Sequence, residues 1–380
     1  MSEYQYYEFL ALDRPLTEKE TAELRSKSTR AQITPTSFTN VYHWGSFKGD
    51  PDAWMEKHFD AYLHLADWGY RVLSFRLPSD FLDLHTAREY HRKRFAHAYE
   101  KNGKVILSLV SDRDPEDGWD NEEESGEGCL ARIVPVRTAL LAGDLRGLYL
   151  GWLLGVQSEE FGSNDREPAV PAGLRDLTAG LDAMVAFLRI DRDLLAAAAE
   201  SSPPVAATEP NRALMLEWVA SLPTKEKDDY LARLMTGSDP AIRAGLLRRF
   251  LKEREGTSSN STSPRRTVGD LIQAAAIRRA ERLRRADEEK RRIEEKAAQA
   301  REAHLDRIAG RGAELWQEIE GLIAVKRRAN YEQATQHLLD LRDLSQRREG
   351  TAEFEAKLAA FRAKHWRKRR FMLQLSKAGV

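Results

Sequence analysis

From Thr267 to Ile308 the chain reads TVGDLIQAAAIRRAERLRRADEEKRRIEEKAAQAREAHLDRI, and between Gly269 and Gly310 it contains neither glycine nor proline. Ala, Leu, Arg, Lys, Gln and Glu dominate this stretch, the residues that cost least in a helix interior. A helix of about 40 residues extends roughly 60 Å, far beyond the usual three or four turns. Such an element excludes one sheet-based domain for the whole chain, since the rest must be arranged on either side of it. The best alternating three-four register runs Ile272, Ala276, Arg279, Leu283, Ala286, Lys290, Ile293, Ala297, Ala300, His304, Arg307. Four of its positions are polar and four are alanine, which makes a poor coiled-coil seam. The pairs Glu281–Arg285, Asp287–Arg291 and Glu288–Arg292 each place an acid four residues before a base, worth about 0.2–0.5 kcal/mol apiece on an isolated helix. The expectation is a largely exposed or weakly docked helix at 267–310 rather than an obligate coiled-coil dimer.

Lys+Arg and Asp+Glu are equal at 60 each, yet from Arg265 onward there are 28 basic and 18 acidic residues, so that part carries +10 and the remainder −10. A chain divided in this way either pairs its own halves or offers a basic half to an anionic partner. Before the long helix lies GTSSNSTSPRR (256–266), small and polar throughout and read as a flexible linker. After it, 311–380 reads as a basic helical bundle. Its apolar faces are Leu315, Trp316, Ile319, Leu322 and Ile323; Tyr331, Ala334, Leu338, Leu341 and Leu344; and Phe354, Leu358 and Phe361.

The N-terminal part has another rhythm. Residues 4–12 alternate aromatic and polar side chains like a strand. PLTEKETAELRSKS follows as a helix with Thr17 and Glu20 forming a capping box. A hairpin with its better strand at Phe38 to Phe47 comes next, then a helix capped by Asp50 with Pro51 at its first position and Met55, Phe59, Tyr62, Leu63 and Ala66 on its apolar face. YRVLSFRLP closes the series as a strand. Strand, helix, hairpin, helix, strand is the split βαβ, ferredoxin-like order. A short helix at about Ala87 to His97 and the strand KVILSLVSD extend this α+β domain to residue 111. DRDPEDGWDNEEESGE, with nine carboxylates, makes 112–128 an acidic mobile loop. Helical patterns then run through 129–255, read as an all-α domain. Gly147, Gly151 and Gly155, four apart, form a stripe for close helix packing.

Chemical motifs are few. There is no phosphate-binding Gly-Lys-Ser/Thr loop, no Gly-x-Ser-x-Gly elbow and no His-Glu-x-x-His. His85, His91 and His97 are six apart, so on one helix their rings point about 120° apart and cannot share a metal. Asp60 and His64, four apart, could pair on a helix but lack a nucleophile. The single cysteine, Cys129, excludes a disulfide framework and fits a reducing cytosol. No basic region leads into an apolar run at the start, so no signal peptide is expected, and the most apolar run, Leu145 to Gln157, is too short to cross a bilayer. No catalytic residue, cofactor or metal is expected, and no membrane.

Two groups of residues could carry binding. Arg367, Lys368, Arg369 and Arg370, with Lys326, Arg327 and Arg328, form basic runs that could clamp phosphates or dock an acidic protein surface. Tyr4 and Tyr6 share a face of the first strand, and Tyr42 and Trp44 a face of the hairpin strand, the kind of display on which bases stack. The RNA-recognition signature is absent from VYHWGSFKG and the host region is acidic, so these aromatics are expected to lie under cover.

The tail NYEQATQHLLDLRDLSQRREGTAEFEAKLAAFRAKHWRKRRFMLQLSKAGV resembles the helical tail of some bacterial SWIM zinc-finger proteins, through Tyr331, Ala334, Leu338, Leu339, Phe354, Leu358 and His365 and the basic turn after it. The zinc motif of that family cannot be written with Cys129 alone, so its metal and DNA binding do not carry over. What the resemblance implies is a bacterial cytosolic accessory protein. The function expected from the residues is that of a non-enzymatic adaptor or scaffold binding other proteins through its helical C-terminal half. The alternative is a nucleic-acid-binding accessory factor using the basic C-terminal module.

Overall fold

The computed structural model describes residues 4–45, 47–92, 94–112, 125–204, 212–236, 242–255, 265–348 and 350–380. Most of the expected acidic loop (113–124) and of the expected linker (256–264) lies outside the described residues. The chain forms two compact units, 1–281 and 282–380.

The first unit is built on one antiparallel sheet of seven strands: β1 Gln5–Leu10, β2 Gln32–Thr34, β3 Ser37–Tyr42, β4 Ala61–Ala66, β5 Tyr70–Pro78, β6 Ala96–Lys101 and β7 Lys104–Asp112. Their order across the sheet is β2-β3-β1-β4-β5-β7-β6. Helix α1 (Glu18–Lys27) connects β1 to β2, and α2 (Pro51–Lys57) connects β3 to β4. The capping box forms: Glu20 N–H donates to Thr17 Oγ1 at 3.3 Å and Thr17 N–H to Glu20 Oε2 at 2.8 Å. Asp50 caps α2 by accepting from the Ala53 amide at 3.1 Å.

The helix expected to run from Asp50 through Ala66 is not formed as one element. α2 stops at Lys57, and Ala61–Ala66 is a strand whose six residues are all buried. A central strand covered on both faces loses the polar alternation that marks half-buried strands, and a short apolar run then also fits a helical period. Likewise α3 spans Leu84–Tyr90 rather than reaching His97, because Ala96–Lys101 pairs with β7. An antiparallel sheet with helices comes first in the chain, and a helical part with a long helix follows.

Period-two alternation sends Tyr6, Leu63, Leu65, Leu73, Phe75, Leu77, Leu107 and Leu109 to one face of the sheet. That face is covered by α4 (Cys129–Ile133), α5 (Pro135–Leu141) and α6 (Arg146–Gln157), on which α7 (Ala179–Phe187) and α8 (Arg192–Ala199) pack in turn. These helices, read from sequence as an all-α segment, share one apolar cluster with the sheet. The opposite face carries Tyr7, Phe9, Phe38, Tyr62 and Val72 and packs with Leu24 of α1 and with Trp54 and Met55 of α2. Along α6 the glycine stripe meets neighbours: a Cβ at Gly147 would come within 2.9 Å of Val136, and one at Gly155 within 2.8 Å of Phe161. Helices α9 (Arg212–Ser221), α10 (Thr224–Thr236) and α11 (Ile242–Glu255) follow. The long element is α12 (Val268–Ile308); its Val268, Leu271 and Ala275 join the first unit's core. Arg266, just before it, pairs with Glu167 at 2.5 Å and donates to the Ala197 carbonyl at 2.8 Å. Every residue from Arg279 to Ala300 is exposed, and acid–base pairs on this stretch form at Arg284–Glu288 and Arg292–Glu289.

The second unit comprises the remainder of α12 with α13 (Gly312–Ala324), α14 (Arg328–Arg347), α15 (Thr351–His365) and α16 (Arg369–Lys377). Leu305, Ile308, Leu315, Ile319, Leu338, Phe354, Phe361 and Phe371 form its core, which follows the three apolar faces expected for this bundle. Arg301 bridges Asp340 and Asp343, the latter at 2.6 Å. Among the described residues no single helix is long and apolar enough to cross a membrane.

Candidate functional site

At the β3 side of the sheet, the loop after Tyr42 turns sharply at Gly45, whose φ of +78° is open to glycine at no steric cost. The Gly45 carbonyl accepts from Gln5 Nε2 at 3.2 Å, which fixes the turn and holds the preceding Trp44 outward, with 78% of its surface exposed. Below it, Arg25 at the end of α1 donates to the Ala31 carbonyl at 2.6 Å, and Asn40 donates to Ser28 Oγ at 2.9 Å. These bonds tie the α1–β2 connection to β3. Between the two loops lies a groove of about 290 Å³, lined by Tyr42, His43 and Trp44 on one side and by Lys27, Arg30 and Lys48 around it. No carboxylate lines it, and the three cations are exposed without an acidic partner among the described residues. A flat, solvent-facing indole beside unpaired cations offers a π-face and a positive field together, which is what a nucleotide's base and phosphate require.

Of the four aromatics singled out in sequence, the fold therefore brings Tyr42 and Trp44 into one groove. Tyr4 lies near it, its ring 5.8 Å from that of His43. Its surroundings differ: burial, and then the carboxylate of Glu127, raise the Tyr4 phenol above its ordinary range. Tyr6 points to the opposite face and is buried under the helical layer. Lys27, Arg30 and Lys48 were not apparent as site residues from sequence, because they are spread over 22 positions and only the hairpin register gathers them. The signal available was Lys48, four residues after Trp44 in HWGSFK.

In the second unit the two basic runs meet. Lys368, at the corner between α15 and α16, donates from Nζ to the Ile323 carbonyl near the end of α13 at 2.9 Å. That contact places Arg367, Arg369 and Arg370 beside the connection that holds Lys326, Arg327 and Arg328. Lys326 adopts a positive φ of 59°, which reverses the chain into α14. Arg328 pairs with Glu332 at 3.0 Å, while Lys326, Arg327, Arg367, Arg369 and Arg370 are exposed and have no carboxylate partner among the described residues. Trp366 is 65% exposed, with the Arg367 guanidinium over its ring at 5.2 Å. Behind the corner, Glu320 is held by Lys364 at 2.8 Å and His365 at 3.0 Å. Burial acts to raise the Glu320 carboxyl, but the hydrogen bonds from Lys364 and His365 outweigh it and leave it below the usual range.

The Asp60–His64 pair considered from sequence does not form. Asp60 instead accepts from the Leu12 and Asp13 amides at 2.8 and 2.9 Å and from Arg76 at 2.8 Å, with Arg137 at 3.9 Å. Burial would raise its carboxyl, yet Arg76 and Arg137 prevail and lower it. His85, His91 and His97 fall on α3, on its C-terminal cap and on β6. Among the described residues no group of three His, Cys, Asp or Glu side chains could hold a metal ion. The chain matches no protein-family model, no curated protein and no solved structure.

Proposed function

We propose that this protein is a non-enzymatic accessory factor that binds single-stranded nucleic acid. The observation that carries the reading is the Trp44 groove, an outward indole and Tyr42 among Lys27, Arg30 and Lys48 with no carboxylate among the described residues that line it. Stacking on such rings is worth about 1–3 kcal/mol per base and tolerates any sequence, while phosphate contacts add a salt-dependent share. The unpaired arginines around Trp366 supply a second surface of the same chemistry. We further read residues 4–66 as a ferredoxin-like module. Its strand-helix-strand-strand-helix-strand succession and the order β2-β3-β1-β4 support that, with Ala61–Ala66 in place of the expected fourth strand.

A second reading, an adaptor for a protein partner in the cytosol, draws on the same basic corner. An exposed Trp flanked by unpaired Arg is a composition enriched at interface hot spots, and an acidic protein surface would complement it. The experiment is anisotropy of a labelled single-stranded oligonucleotide titrated with the full chain, at low and at physiological salt, with polyglutamate as competitor. Binding that weakens with salt and that Trp44→Ala reduces is the expected result. No binding of the oligonucleotide, with polyglutamate bound instead, would transfer the function to the adaptor reading.

A further inference from the structure

Behind β1, on the same sheet face as Tyr42 but around different residues, lies a second cavity of about 360 Å³. Its size is near the lower end of small-molecule sites, about 300–1,000 Å³. Tyr7, Tyr62 and Tyr70 supply aromatic wall, Phe47, Val72 and Val110 apolar wall, and Asp52 stands at the edge. Asp52 is exposed and has no ion-pair partner among the described residues, and no Lys or Arg lines the cavity. His64 also lines it, stacked on the Tyr7 ring at 4.1 Å between centroids. The imidazole is almost wholly buried and its Nε2 has no hydrogen-bond partner among the described residues; burial lowers its pKa to about 4, so it adds no positive charge near neutral pH.

Nearby carboxylates act on the phenols around the cavity. Burial raises the phenol of Tyr70, and Asp112 and Asp52 raise it further, against Arg94. The Tyr99 phenol on β6 is pushed up to about 12 by burial and then by Asp52, Glu56 and Asp50. Burial and then Asp50 raise the Asp52 carboxyl, against His97, which also lines the cavity. A cavity with aromatic walls, a carboxylate at its mouth and no Lys or Arg among its described lining residues favours positive charge, since ring quadrupoles and the carboxylate attract a cation and repel an anion. We propose that this cavity binds a small organic ammonium ion, its charge set between the Asp52 carboxylate and the rings of Tyr62 and Tyr70, and its carbon body against Phe47, Val72 and Val110. The inference is independent of nucleic-acid binding, which uses none of these residues.

Calorimetric titration of the full chain with phenethylamine and with 3-phenylpropionate, an anion of similar size, tests it. The amine is expected to bind and the acid not to. Asp52→Asn, at an exposed position, should weaken the amine by roughly 5-fold or more, and Tyr70→Leu should weaken it too. Absence of amine binding, equal binding of the acid, or full affinity in Asp52→Asn would each overturn the assignment. Should either variant lose its near-ultraviolet circular dichroism, the comparison of amine and acid on the unaltered protein still decides.

Discussion

A methyl group at residue 151 has no room. A Cβ there would strike the His91 ring and come within 2.6 Å of Leu109 Cδ2. His91 cannot retreat, because it is fully enclosed and its Nε2–H donates to the Leu148 carbonyl at 3.0 Å on the same helix. Gly151→Ala should therefore destabilise the first unit by about 1–3 kcal/mol, the usual cost of overpacking, read as a lower urea midpoint with an unchanged slope. His91 and His64 also give stability a pH dependence. Burial lowers both to about 4, while an imidazole in the unfolded chain titrates near 6.5. Between those values the unfolded state binds more protons, so stability falls as pH drops from about 6.5 towards 4, by about 3 kcal/mol at most for each ring. Urea unfolding at about pH 7.5 and about pH 5 should show it, and His64→Phe, which keeps a ring over Tyr7, should reduce the difference. An unchanged difference in that variant would remove His64 from the account. The glycine stripe was legible from its spacing of four; the imidazole it accommodates was not, since His91 lies 60 residues away and only the fold joins them.

Among the elements, those with local determinants were the ones legible in sequence. The capping box at Thr17 and Glu20, the Asp50 cap with Pro51, and the strand at Lys104–Asp112 all need only near neighbours. β4 and β6 were missed for opposite reasons. Ala61–Ala66 is buried on both faces and has no polar alternation, while AHAYEK on β6 is a polar edge strand whose identity comes from its pairing with β7. The candidate groove was half legible: its aromatics lie close together in VYHW, but its cations come from two separate segments, Lys27 and Arg30 from the end of α1 and the connection after it and Lys48 from the loop after β3. In α12 the sequence reading and the fold agree on exposure, and this has a dynamic consequence. Its first turns pack through Leu271 and Ala275 and its last through Leu305 and Ile308, with only exposed residues from Arg279 to Ala300. Amides in the exposed stretch open by local fraying, whereas packed turns open only with their cores. Hydrogen exchange followed by mass spectrometry should find slow exchange at both ends and fast exchange at 281–300. Uniform protection along the helix would mean that something covers its middle.

At the scale of the whole molecule the net charge is zero, so long-range attraction to a polyanion cannot come from the total. It has to come from patches, and screening makes that sufficient: at physiological ionic strength charges separated by more than about 8 Å hardly sense one another at the surface. The acidic surplus in the N-terminal part thus need not cancel the field at Lys27, Arg30 and Lys48, nor that at the Arg367–Arg370 corner. The basic runs were legible as composition. Their convergence was not, because it depends on Lys368 reaching the Ile323 carbonyl across the bundle. The two surfaces should contribute to binding in different ways. Each phosphate neutralised on a single strand adds about 0.7 to the slope of log affinity against log salt. Replacing Arg367, Arg369 and Arg370 together by Ser, with Lys368 kept for its structural bond, should lower that slope by about 2 if each guanidinium meets one phosphate. Trp44→Ala removes a ring and no charge, so it should lower affinity at every salt concentration and leave the slope as it was. A slope that stays constant in the triple variant would confine binding to the Trp44 groove, and the bundle's basic corner would then belong to an acidic protein partner.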